Sequence, residues 1–150
     1  MSLQNLDNLV QRGLLRKEPA HKDELARLLS AADATLADSR VGAVSAASRF
    51  AMAYQAALGY GLIALRVRGY RTSSHQPGQH SIAIQSLPIT VSFPQSDTNT
   101  LDSFKEKRHR GAYEGMLITS EQEVGELQRL AAKLRGCVVA WINASQPGLL

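Results

Sequence analysis

The chain has 150 residues, 44% of them hydrophobic and 20% charged, which is enough for one domain with a core of its own and excludes a disordered or fibrous polypeptide. A net charge of +4 favours anionic partners but is modest for a nucleic-acid binder, so charge alone assigns no function. The single cysteine, Cys137, excludes an internal disulfide and a multi-cysteine zinc site and fits a reducing compartment, so a cytoplasmic chain is expected.

At the N-terminus, MSLQNLDNLVQRG meets charge before any continuous apolar run, so no signal peptide is expected. No window approaches the roughly 18 apolar residues of a membrane span, and no membrane partner is expected. Leu3, Leu6, Val10 and Leu14 fit one face of a short amphipathic helix. Residues 1–18 are therefore expected to dock on the remainder of a single domain, 1–150, or on a partner. In HKDELARLLSAADATLADSR, Leu25, Leu28, Leu29, Ala32 and Leu36 recur at steps of three and four, the period of a helix with one apolar face. Asp23 and Glu24 suit its first turn and Pro19 its approach.

The next segment carries Val44, Ala47, Ala51, Tyr54, Leu58, Gly61 and Leu65 at the same steps. It predicts a helix of about 25 residues ending near Gly69, with alanines and glycines that admit close neighbours. RTSSHQPGQH and SFPQSDTNT are rich in turn formers and read as loops, with SIAIQSLPITV between them as a short helix interrupted by Pro88. Thr100 is a plausible N-cap for a helix through FKEKRHRGAYEG, and Ser120 with Glu123 spells a capping box for the last one. That last helix presents Val124, Leu127, Ala131, Leu134, Val138, Trp141 and Ser145 at helical spacing, which predicts Trp141 in the core. No sustained alternation of strands is seen. The fold class expected is all-α, an up-and-down bundle of four to five helices.

Candidates for chemistry are few. His75 and His80 flank a Pro-Gly turn without a neighbouring carboxylate, and His21 and His109 are remote in sequence. No metal site and no cofactor are expected. A phosphate-binding glycine loop, a nucleophile elbow and a paired-carboxylate signature are all missing. Arg108 is different, because Leu101, Phe104 and Arg108 fall within about 60° on a helical wheel. A guanidinium on an apolar stripe needs acceptors for its five donors. An ion pair within the fold and an anion site are both open readings. Alternating helices would also bring Arg66, Arg68 and Arg71 to the same end as Lys107, Arg108 and Arg110, forming a positive patch.

The long helical pair, then GYR, a loop with GQH and the run KRHRGAYEG before an acid-capped last helix together resemble the HEPN superfamily (higher eukaryotes and prokaryotes nucleotide-binding). LARLLSAADATLADSR, SRFAMAYQAAL and ALRVRGYR resemble its small, stand-alone, mostly bacterial branch. The likeness spans roughly residues 3 to 145. It implies a HEPN-like module that binds a nucleotide, RNA or an acidic protein partner, with Arg108, Arg110, Lys107, Arg71, Arg68 and His80 as binding residues. It also implies a homodimer and a place beside a small nucleotidyltransferase in a toxin-antitoxin pair.

Ribonucleases of the superfamily carry an arginine, usually a polar residue such as asparagine, and a histidine four to six residues later. Arg108 matches the arginine, His109 stands where asparagine is usual, and Tyr113 replaces the histidine. Tyrosine, with a pKa near 10, donates a proton at neutral pH but is a poor general base. The alternative reading is therefore a metal-independent endoribonuclease with a degenerate motif, in which Arg108 holds the phosphate and His109 or Tyr113 serves as acid or base.

Overall fold

In the computed structural model, which describes residues 3–73 and 78–150, α-helices cover Leu3–Gln11 (α1), Lys22–Asp38 (α2), Ala46–Val67 (α3), Gln79–Gln85 (α4), Leu87–Thr90 (α5), Gln95–Glu114 (α6) and Glu121–Ser145 (α7). Two short strands, Leu15–Lys17 (β1) and Tyr70–Thr72 (β2), and a 3₁₀ turn at Pro147–Leu149 complete the described elements. The fold is an all-α bundle.

Helices α3 and α7 begin where side chains satisfy free backbone N–H groups. Ser45 Oγ accepts from the Ser48 N–H at the head of α3. At the head of α7, Ser120 and Glu123 form the reciprocal capping box their spacing predicts. Asp23 and Glu24 lie in the first turn of α2, where the helix dipole favours acids. After α3, Gly69 takes a left-handed φ of 87° and turns the chain into β2.

Side-chain contacts fix the helix directions. Tyr60 bonds Asp33 and Arg66 bonds Glu24, so α2 and α3 are antiparallel. Arg49 meets Glu121 at one end of α3 while Gln146 donates to the Val67 carbonyl at the other, so α3 and α7 are parallel. Lys133 pairs with Asp97 and Lys107 with Glu123, so α6 runs against α7. The four long helices thus alternate up and down.

Helix α3 is the central element, with Phe50, Ala53, Tyr54, Ala57, Tyr60 and Ala64 at most 1% exposed. Its glycines allow close approach. A Cβ at Gly61 would stand 3.3 Å from the Ala83 carbonyl oxygen, and one at Gly59 3.1 Å from the Ala32 Cβ. By length and mean hydropathy α3 is also the one helix, among the described residues, able to cross a bilayer. Its apolar surface is instead buried against α2, α4, α6 and α7.

Several expectations need correction. Helix α6 starts at Gln95, so Thr100 is inside the helix rather than at its cap, and most of SFPQSDTNT is helical. The hydroxyls of Thr98, Thr100 and Ser103 donate to the Pro94, Ser96 and Thr100 carbonyls. Residues that usually favour turns are accommodated by bonding back onto the helix. Pro88 falls in the first turn of α5, where its missing N–H costs nothing. The strands were hidden because each is three residues long and they pair across the whole length of α2 and α3, with Leu15 opposite Thr72 and Lys17 opposite Tyr70. On α7 the buried seam continues from Val138 to Ile142, while Trp141 is only half-buried and lies under the Arg68 guanidinium, 4.7 Å from its ring centre. Leu28, placed on the apolar face of α2 by its spacing, is 38% exposed.

Candidate functional site

Helix α6 turns Leu101 and Phe104 into the core, and Phe104 packs edge-on against Phe50 with ring centres 5.5 Å apart. One turn further, the same stripe presents Arg108, whose guanidinium carbon lies 5.3 Å from the Tyr54 ring centre. The nearby carboxylates lie against lysines, although the buried Asp102 Oδ1 has no hydrogen-bond partner among the described residues. Asp102 and Glu106 lie 3.2 and 3.1 Å from Lys105 Nζ, and Glu123 accepts from Lys107 Nζ at 2.6 Å. Among the described residues Arg108 makes no ion pair, and its buried Nε has no hydrogen-bond partner. The hydroxyl of Tyr54, whose ring lies against that guanidinium, is buried and equally without a partner among those residues. Burial raises the Tyr54 pKa to about 12, so the phenol stays neutral and able to donate.

Tyr54 and Arg108 line a cleft of about 500 Å³ between α3, the first turn of α4, and α6. Gln79, His80, Ser81 and Lys105 form other walls, with Glu106 and His109 also contributing. Burial lowers the His80 pKa, and the positive charges of Arg108 and Lys105 lower it further. A group that starts at 6.5 is then neutral at pH 7. Lys105 donates to Ser81 Oγ at 2.6 Å. Burial opposes its charge, but the adjacent Glu106 and Asp102 carboxylates outweigh burial and raise its pKa. A lysine held protonated cannot take a proton from Ser81, so the pair is a fixed donor to the cleft rather than a nucleophile with its base.

Arg108 also forms the ridge between this cleft and a second groove of about 320 Å³, lined by Ala47, Ala51, Gly111, Met116 and Leu117. Gly111 makes that groove. Leu117 folds back so closely that a Cβ at position 111 would lie 2.9 Å from the Leu117 Cβ. The helix ends only at Gly115, which takes a left-handed φ of 78°.

The residues singled out by sequence are dispersed. His80 and His109 share the cleft with Arg108. Tyr113 does not line it and is 88% exposed. The bend that would have joined it to Arg108 is not at Gly111, since α6 runs unbroken to Glu114. Arg110 is exposed, and Lys107 is paired with Glu123. Arg68 donates to the Thr90 carbonyl at 2.9 Å, and Arg71 is paired with Glu18 and Glu24. Arg66 is buried on Glu24. The expected patch of six basic residues therefore does not assemble. Helices α4 and α5 are too short to return the chain along the bundle, so α6 runs antiparallel to α3 and Arg108 meets Tyr54. From Tyr54 to Arg66 the helix rises about 18 Å.

His75 lies outside the described residues, and His21 is exposed immediately before α2. Among the described residues no three His, Cys, Asp or Glu side chains converge as metal ligands would. Tyr54, Ser81 and Lys105 escaped sequence reasoning. Tyr54 read as one more core residue of the α3 seam.

The site thus belongs to an all-α bundle with an uncompensated arginine at the junction of a polar cleft and an apolar groove. No family model, curated protein or solved structure matches the chain.

Proposed function

We propose that this protein is a helical binding module whose cleft takes the phosphate of a nucleotide, free or at the end of an RNA, on Arg108. One observation carries the reading. Arg108 is half-buried with no carboxylate partner among the described residues, while its cationic neighbours Lys105 and Lys107 are both answered by acids. A guanidinium presents donors that match phosphate oxygens two at a time. The Tyr54 hydroxyl, Ser81 and His80 surround it with further polar groups. The concave shape favours a small anionic unit over the flat face of an acidic protein. Arg66, Arg68 and Arg71 are engaged elsewhere and do not extend the cleft into a basic track for a long RNA.

Sulfate, a dianion throughout pH 5 to 8, tests this without titrating itself. Bound anion favours the imidazolium form of His80, so binding raises its lowered pKa and takes up a proton. Calorimetric affinity for sulfate should rise several-fold from pH 8 to pH 5, and the dependence should flatten in His80→Gln. Absence of saturable binding by both sulfate and AMP would overturn the reading.

The endoribonuclease alternative gains one specific support, since His80, not Tyr113, is the neutral base beside Arg108. It requires cleavage of single-stranded RNA in EDTA that His80→Ala removes and Tyr113→Phe does not. RNA left intact by the parent protein eliminates it.

A further inference from the structure

We infer that the apolar groove on the far side of Arg108 seats the planar ring of the same ligand, so that the site reads a nucleotide as an anion plus a flat ring without reading the identity of the base. This rests on the proposed function, since it starts from a phosphate held on Arg108. The guanidinium and Ala112 are common to both depressions, so a ligand anchored at Arg108 can extend over that ridge without meeting another charged side chain. Beyond it, Ala47, Ala51 and Gly111 form a shallow floor of small residues, with Met116 and Leu117 as the wall.

That floor is maintained by packing. Gly111 is buried under Leu117 with no room for a methyl group, and Gly115 turns the chain back to bring Met116 alongside. A second observation points to a ligand on the cleft side of Arg108: Tyr54, 1% exposed, lines that cleft with its ring against the Arg108 guanidinium, and its buried hydroxyl has no partner among the described residues. The polar side chains at the groove are Ser48 and Arg108 itself. Base edges differ in their pattern of donors and acceptors. One serine hydroxyl, able to donate or accept, cannot discriminate among them. A thioether against an aromatic ring supplies contact that every base can make.

The test titrates the full chain with inorganic phosphate, ribose 5-phosphate, AMP and GMP. AMP should bind at least tenfold more tightly than ribose 5-phosphate, and GMP should match AMP within about threefold. Met116→Ala should remove most of the AMP advantage while leaving ribose 5-phosphate unchanged. Met116 is 66% exposed, so this change leaves the core intact. Ser48→Leu, which fills the groove from the exposed side of α3, should do the same. A 5′-phosphorylated trinucleotide that binds as AMP does would identify an RNA end as a source, and one that fails to bind would identify the free nucleotide. Equal affinity for AMP and ribose 5-phosphate, or an equal loss for every probe in Met116→Ala, overturns the ring site while leaving the phosphate site standing. If none of the four probes binds, both fall.

Discussion

Arg66→Met should lower the stability of the fold by about 3–5 kcal/mol, as expected when one partner of a buried ion pair is removed. The side chain is 4% exposed. It donates twice to Glu24 Oε1, at 3.1 and 2.8 Å, and once each to the Glu18, Pro19 and Tyr70 carbonyls at 2.8 to 3.1 Å. One arginine therefore joins the end of α3 to the chain entering α2 and to β2. Methionine would occupy much of the space and satisfy none of these acceptors, leaving polar groups desolvated without a donor.

Arg71→Met should cost less, because its side chain is 32% exposed and Glu24 would retain Arg66. The same cluster sets an acid limit. Burial would raise the Glu24 pKa, but bonds from Arg71 and then Arg66 outweigh it, and the net shift is downward from 4.5. A lowered carboxylate contributes stability that is present above its unfolded value and lost as pH falls through the folded one. The gap between parent and Arg66→Met should therefore narrow below about pH 4. Urea midpoints at pH 7 and pH 3 measure both effects, and coincident midpoints at pH 7 would show that the bonds contribute nothing net.

That cluster also explains what the sequence could and could not disclose. Helices α2, α3 and α7 were legible because apolar periodicity runs along uninterrupted stretches, reinforced in α7 by the capping pair Ser120 and Glu123 ahead of the seam from Val124 to Val138. The start of α6 was not, because Thr98 and Thr100 have turn-forming side chains that here bond back to their own helix. The partners of Arg66 and Arg71 were invisible for another reason. Glu18 and Glu24 lie more than forty residues away in sequence, and only the β1–β2 pairing and the antiparallel α2–α3 contact bring them together. Counted without those acids, Arg66 and Arg71 looked like a surface available to a ligand. Arg108 could be recognised because its anomaly is local, a charge in line with Leu101 and Phe104. Its apolar setting was therefore legible while its neighbours His80 and Tyr54 were not.

Arg108→Met is expected to behave in the opposite way to Arg66→Met. Bonds from an ionised donor to a phosphate contribute about 1.5–3 kcal/mol each, so losing them should weaken AMP and sulfate binding by about ten- to a hundredfold or more. Folding should not suffer. The guanidinium gives up no ion pair among the described residues, and its buried, unpartnered Nε carries a desolvation cost of about 1–3 kcal/mol that methionine relieves. Contact with the Tyr54 ring can be kept by a thioether, so the melting temperature should be unchanged or higher. Gain of stability with loss of binding is the signature of a residue retained for a ligand, because a site left unsatisfied in the free protein is satisfied only when the ligand arrives. If Arg108→Met instead loses several degrees of melting temperature and binds AMP and sulfate as the parent does, Arg108 is a structural residue and the site lies elsewhere.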